Sequence, residues 1–189
     1  TLLACLQSIS KGNNPGQEFN WGNLHLIPKN NSDIISETRP ITVTNADNRI
    51  LAKVVANQIY VVQDQLISDM QRGFTPGRQG TDHIRLLNEL LYGEDEDKTT
   101  YVLLLDIMKA FDSVDHQFIL AVLHKVNMPL WIINAVKGFL FDARVTPVIG
   151  GDQGGWIPIE RGVKQGCPLS PLLFIIIYEV YINKLKNGT

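Results

Sequence analysis

The sequence predicts an α+β fold, with amphipathic helices packed on a small antiparallel sheet. Three observations carry this. Two β-rich runs, residues 21–29 with Leu24-His25-Leu26-Ile27 at their centre and residues 38–43, are joined by a polar loop. Two more runs, 145–149 and 156–160, flank Gly150-Gly151-Asp152-Gln153-Gly154-Gly155 and read as a hairpin with a flexible tip. Between and after them, apolar residues recur at helical spacing. With 189 residues, 44% hydrophobic and 19% charged, the chain can bury one real core or two small interlocked lobes.

The helices follow in order. Leu2, Leu3, Leu6 and Ile9 fit a helix that begins upstream, broken at Lys11-Gly12-Asn13-Asn14-Pro15-Gly16. Asn45 is a candidate cap for a helix to about Gln65, with Ile50, Leu51, Val54, Val55, Ile59 and Val62 on one face and Arg49, Lys53 and Asn57 on the wet one. Thr81 caps a helix carrying Ile84, Leu87 and Leu91. Residues 116–126 and 131–141 are two more, and Ser170-Pro171 opens a buried helix over 172–186. The most apolar segment, 169–182, is too short for a membrane span and carries Glu179, so no membrane partner is expected. The first residue is not Met and no signal-peptide pattern opens the chain, which is expected to be a fragment. Cys5 and Cys167 form neither a disulfide framework nor a zinc motif. The net charge of -2 owes much to one run: Glu94 to Asp97 against Lys98 carry a net -3, which leaves +1 for the rest. That balance leaves nucleic acid open as a partner without supporting it.

The chemistry concentrates in residues 101–116. Tyr101-Val102-Leu103-Leu104-Leu105 reads as a strand buried on both faces, ending at Asp106. A buried, unpaired carboxylate is costly, so Asp106 calls for a cation or for exposure at the strand's edge. A carboxylate so placed suits a divalent metal for phosphoryl chemistry. The bland alternative is that it merely ends the strand. Asp112 and Asp115 read as helix caps. Lys29 and Arg39, flanking the polar loop, either close over an anion or are solvated strand ends. Arg72 and Arg78, in a Gly/Pro loop, are weak candidates for phosphate contact. In Arg161-Gly162-Val163-Lys164-Gln165-Gly166-Cys167, Gly162 and Gly166 let the backbone approach a ligand, and Gln165 is placed to hydrogen-bond a flat polar group. An ordinary loop feeding a core helix is the competing reading. His116 and His124 have no companions at metal-ligand spacing.

Taken together, Leu26-Ile27-Pro28-Lys29, Arg39-Pro40-Ile41, Leu105-Asp106 with Ala110-Phe111-Asp112, and the string from Arg161 through Gln165-Gly166-Cys167-Pro168-Leu169-Ser170-Pro171 resemble the reverse transcriptase domain of non-LTR (LINE-like) retrotransposons. Gln71-Arg72-Gly73-Phe74 and Pro76-Gly77-Arg78 match the same family, and group II intron reverse transcriptases are its near relatives. The resemblance implies a right-hand polymerase, an RNA-directed DNA polymerase that joins dNTPs to a DNA primer on an RNA template. It implies fingers over 1–98, a palm strand over 99–117, fingers and palm helices with the hairpin over 118–160, a palm helix over 161–189, and no thumb. It further implies that Asp106 and the backbone carbonyl of Ile107 hold two Mg²⁺ ions, with Mn²⁺ as a substitute. Lys29 and Arg39 would lie over the triphosphate, and Phe111 beneath the sugar would disfavour a 2′-hydroxyl. Gln165 and Gly166 would line the nucleotide and template pocket. The family's aromatic-x-Asp-Asp turn does not occur in the chain, which alone is expected not to polymerise DNA. A degenerate, non-catalytic nucleic-acid-binding fold and a metal-dependent phosphatase are the other readings. Family habit places the parent protein in the nucleus if the host is eukaryotic.

Overall fold

The structure, a computed structural model, describes residues 1–29, 34–92 and 101–187. Helix α1 (Leu2–Ser10) precedes strand β1 (Trp21–Pro28), a 3₁₀ turn (Ile35–Glu37) and strand β2 (Thr38–Thr44). Helices α2 (Ala46–Tyr60), α3 (Gln63–Leu66), α4 (Thr81–Tyr92), α5 (Ala110–Ser113), α6 (His116–Lys125) and α7 (Leu130–Leu140) follow. Strands β3 (Arg144–Ile149), β4 (Asp152–Gln153) and β5 (Ile157–Pro158) lead into helix α8 (Ser170–Asn187). The acidic run at 94–98 lies outside the described residues.

The sheet is mixed rather than purely antiparallel. β1 pairs antiparallel with β2, Leu24 opposite Thr42 and Leu26 opposite Pro40, but parallel with β3, Trp21 opposite Arg144. β4 and β5 both pair antiparallel with β3. The parallel pairing arises because the chain between β1 and β3 passes through the helical layer, the kind of crossover that parallel neighbours need. The 145–149 and 156–160 hairpin is therefore built into the same sheet as the first two strands.

Most of the longer helices bury part of the apolar face that their periodicity prescribes, and α4 buries none of it. In α2, Leu51, Val55 and Ile59 are buried as expected, whereas Ile50 and Val54 are exposed; Ala52, Ala56 and Asn48 complete the inner stripe. Asn45 occupies the N-cap position without a side-chain cap bond, and the helix ends at Tyr60, five residues short of the expected end. In α6, Asp115 accepts from the backbone N–H of Gln117 and Phe118, a working cap, while Phe118 stays exposed. Asp112 is not a cap: it lies inside α5, whose N-cap is Lys109 in a left-handed conformation. α8 starts at Ser170, two residues before the expected 172, and buries Leu172, Leu173, Ile175 and Ile176 against α6. Each such side chain contributes roughly 1.5–3 kcal/mol by leaving water. In α4, Ile84 and Leu91 are exposed.

One expectation fails outright. Residues 101–107 form no strand, and Leu103 and Leu104 are 79% and 85% exposed. An apolar run becomes a buried strand only when a neighbouring strand takes its N–H and C=O groups. Among the described residues none pairs with it.

What ties the layers together is a buried polar hub. Asn20, 2% exposed, donates through Nδ2 to the carbonyls of Gly138 (2.7 Å) and Phe141 (2.6 Å) at the end of α7. Asn48 on α2 donates to Asn20 Oδ1 and to the Phe19 carbonyl, both at 3.0 Å, and accepts from Thr44 Oγ1 on β2. Lys164 donates to the Asn20 carbonyl at 3.0 Å. Burial pushes the Lys164 ammonium from its usual 10.5 down to about 8, only partly opposed by nearby Cys167.

Asn20→Ala removes the side-chain donor to the Gly138 and Phe141 carbonyls and one of the two acceptors of the Asn48 amide. It should cost at least about 3 kcal/mol in urea unfolding. Asn134→Ala, which removes one part-buried bond to the Ser10 carbonyl, should cost about 1 kcal/mol. For Lys164 the folded value lies below the unfolded one, so between pH 8 and 10.5 the unfolded chain binds more protons and stability rises with pH. Relative to Lys164→Met, the wild-type chain should gain up to about 3 kcal/mol across that window. A flat difference would show that the ammonium is solvated.

Candidate functional site: a cationic cleft between strands and glycine loop

The β1–β2 hairpin closes where the Lys29 N–H donates to the Glu37 carbonyl at 2.8 Å, which sets Lys29 beside the 3₁₀ turn. Ile27 pairs with Arg39 across the ladder. Both cations therefore stand at the same end of the sheet, one on each strand. They line a cleft of about 470 Å³ whose walls also include Lys109, Asp112, Gln165, Leu26 and Pro40. The structure thus brings together Lys29, Arg39 and Gln165, three residues distant in sequence.

The glycine loop is strapped to both sides of the cleft. On the sheet side, the Thr42 N–H donates to the Gln165 carbonyl at 2.7 Å. Gly166 has φ +115°, and a Cβ there would collide with the Thr42 carbonyl oxygen. On the helix side, Gly162 donates to the Val114 carbonyl (2.7 Å) and Val163 to the Phe111 carbonyl (2.8 Å), while His116 Nε2 meets the Gly162 carbonyl at 2.8 Å. A Cβ on Gly162 would lie 2.7 Å from the Phe111 carbonyl oxygen. Both glycines are thus required by close backbone approach. Gln165 Nε2 lies 3.4 Å from Asp112 Oδ1, a long contact that leaves the amide free to turn.

Other sequence candidates sit elsewhere. Asp106 and Ile107 are exposed in the unpaired segment and are not among the residues lining this cleft. The expected carboxylate at the tip of a buried strand is therefore absent here, for the reason already given: 101–107 has no strand partner. Phe111 also lies outside the cleft lining. Its ring stacks on Phe174 (4.8 Å between centroids) and meets Phe74 edge-on (6.0 Å). Arg78 is engaged internally, donating to the carbonyls of Ser68 (2.6 Å) and Gln71 (3.0 Å) and pairing with Asp64 (2.8 Å), so its guanidinium shapes the 68–78 loop. Arg72 pairs with Asp82 at 3.4 Å.

Sequence reasoning missed Lys109 as a third cation and assigned Asp112 to capping. The available signal for both was their nearness to Asp106 and Phe111 in sequence. What hid them was the left-handed backbone at Lys109, which turns the chain toward the cleft. Three cations facing one carboxylate make a site for an anion. Among the described residues, no group of three or more His, Cys, Asp and Glu side chains could hold a metal ion. No helix among them is long and apolar enough to cross a membrane.

Comparison with known proteins accords with this geometry. The family model for reverse transcriptase (RNA-dependent DNA polymerase) matches residues 27–189. The chain is 33% identical over 165 residues to a retrovirus-related Pol polyprotein from type-1 retrotransposable element R2 of Popillia japonica, covering 86% of this chain and 23% of that protein. It is 30% identical over 152 residues to the R2 polyprotein of Nasonia vitripennis, covering 80% of this chain and 15% of that protein. It is 26% identical over 170 residues to the RNA-directed DNA polymerase from mobile element jockey of Drosophila melanogaster, covering 88% and 18%. The chain spans less than a quarter of the length of these relatives. Reverse transcriptases as a family use divalent metal ions and a nucleic-acid template and primer. The match takes in Lys29, Arg39, Asp112 and the whole glycine loop, and the chain belongs to the reverse transcriptases, as a fragment of the polymerase domain found in non-LTR retrotransposons.

Proposed function

We propose that the parent protein is an RNA-directed DNA polymerase that adds deoxynucleotides to a DNA primer on an RNA template, and that the cleft at Lys29 receives the incoming dNTP. The observation that supports this reading is the convergence of Lys29, Arg39 and Lys109 on one cavity, with Gln165 on its wall. A triphosphate is a dense, flexible polyanion. The planar Arg39 fork grips it in two places, while the lysines act as movable point charges. Holding the phosphates fixes where the α-phosphorus lies, and orientation supplies much of the rate in phosphoryl transfer. Gln165 offers a donor and an acceptor to the sugar or base, and Gly166 keeps the loop low enough to admit them. Phe111, one residue from the cleft-lining Asp112 and backed by Phe174, is the bulk that disfavours a 2′-hydroxyl.

Asp106 and the Ile107 carbonyl are hard oxygen donors of the kind Mg²⁺ prefers, with Mn²⁺ next in the same class. Among the described residues Asp106 belongs to no group of three or more His, Cys, Asp or Glu side chains that could hold a metal ion. Arg72, partly exposed, is the better placed of the two loop arginines to meet a nucleic-acid backbone. An enzyme that copies RNA onto a chromosomal primer works in the nucleus of a eukaryotic host.

Primer extension by the full parent protein tests the assignment. Lys29→Ala and Arg39→Ala should each raise KM for dNTP by about ten- to a hundredfold, the loss of a charged hydrogen bond, with kcat changed less. Lys125→Ala, exposed on α6 away from the cleft, should leave KM unaltered. If all three variants behave alike, the cleft is not the triphosphate site. Gly166→Ala should lower kcat/KM by about a hundredfold or more, since the loop cannot dock on β2 with a Cβ at that φ.

A further inference from the structure

The cleft lies at the Lys29 end of the β1–β2 ladder, where Leu26, Arg39 and Pro40 line it. At the opposite, Trp21 end, bounded by Gly22, Asn23, Val43 and Thr44, lies a second cavity of about 320 Å³. Seven residue steps along β1 separate its Trp21 end from its Pro28 end, about 23 Å at strand rise. Two of its walls are indoles: the rings of Trp21 and Trp156 lie 4.6 Å apart at 46°. The Arg144 guanidinium sits 5.4 Å from the Trp21 ring and is held there by Asp142 at 2.9 Å. Asn23 and Asn45 supply amides, and Glu18 a carboxylate.

Two features distinguish this from ordinary packing. Trp156 is 45% exposed, immediately before the two-residue strand β5 and outside the buried core. Trp21 Nε1 is buried without an acceptor among the described residues, an omission worth about 1–3 kcal/mol that a structural indole usually avoids. An open aromatic face, fixed by a cation and surrounded by amide groups on a sheet, matches what an unpaired base requires: a plane to stack on and donors and acceptors for its edge. The carboxylate of Glu18 opposes a phosphate in the cavity but accepts from an exocyclic amino group, so it favours the base over the backbone.

We propose that the cavity at the Trp21 end of the sheet binds an unpaired, amino-bearing base of single-stranded RNA, with Trp156 as the stacking surface. This site rests on the reading of the parent protein as an RNA-copying enzyme, and it would hold template strand outside the nucleotide cleft. A proline-rich peptide is the other ligand that such an aromatic groove could accept, but the carboxylate and two amides suit a base edge better.

The test uses the full chain with Trp131→Phe, which leaves Trp21 and Trp156 as the only indoles. Titrated with oligo(A) RNA, the indole emission should be quenched, and an abasic strand of equal length should bind at least tenfold more weakly. Trp156→Ala should weaken oligo(A) binding by about 5- to 100-fold, and Trp156→Phe should restore most of it. Lys29→Ala should leave this affinity unchanged, so failure here and failure of the nucleotide-cleft assignment are separately visible. Equal binding of the abasic strand, or oligo(A) affinity indifferent to Trp156, overturns the proposal. So does Trp156-dependent binding of a proline-rich peptide without any of oligo(A).

Discussion

The structure depends on the buried contact between Asn20 and Asn48. Neither amide can reach water, and each is satisfied only if β1, α2 and the end of α7 meet in one arrangement. A purely apolar contact at that point would tolerate sliding, whereas an amide pair with fixed partners does not. Lys164 joins the same hub from the glycine loop, through the Asn20 carbonyl. The loop that carries Gln165 is thereby registered against β1, the strand that Lys29 follows.

That registration accounts for the cleft. Lys29 and Arg39 are placed by a two-stranded ladder, Gln165 by a backbone bond to Thr42, and Lys109 by a left-handed turn before α5. No two of these devices are of the same kind, yet all converge within one cavity of about 470 Å³. The anion site is thus built on rigid elements, with only long cationic side chains left to adjust. The same ladder carries a second, aromatic surface at its other end, about seven residue steps along β1, where Trp21 meets Trp156.

Much of this was legible in the chain. The positions of α2, α6, α7 and α8 follow from apolar spacing, and so do the buried Leu51, Val55 and Ile59 of α2, although Ile50 and Val54 of the same expected face are exposed. Asp115 was legible as a cap and Gly162 and Gly166 as points of close approach. The absence of a strand at 101–105 was not, since its residues read as β-structure. Strand formation is a property of a pair, and composition reports only one member. Arg78 looked like a ligand for phosphate because a guanidinium in a Gly/Pro loop is ambiguous; only the fold brings the carbonyls of Ser68 and Gln71 to it.

The sequence by itself determined the helical layer, the cations at the β1–β2 turn and the string of glycines around Gln165, since these follow from local spacing and from residue types with few conformational options. Tertiary structure alone decided that the sheet is mixed, that Lys109 and Asp112 face the same cavity as Lys29, and that Trp21 and Trp156 meet. Those outcomes depend on pairing and on distances between segments 80 or more residues apart. Such contacts are settled by which buried polar groups can be satisfied together, a condition no single stretch of chain contains.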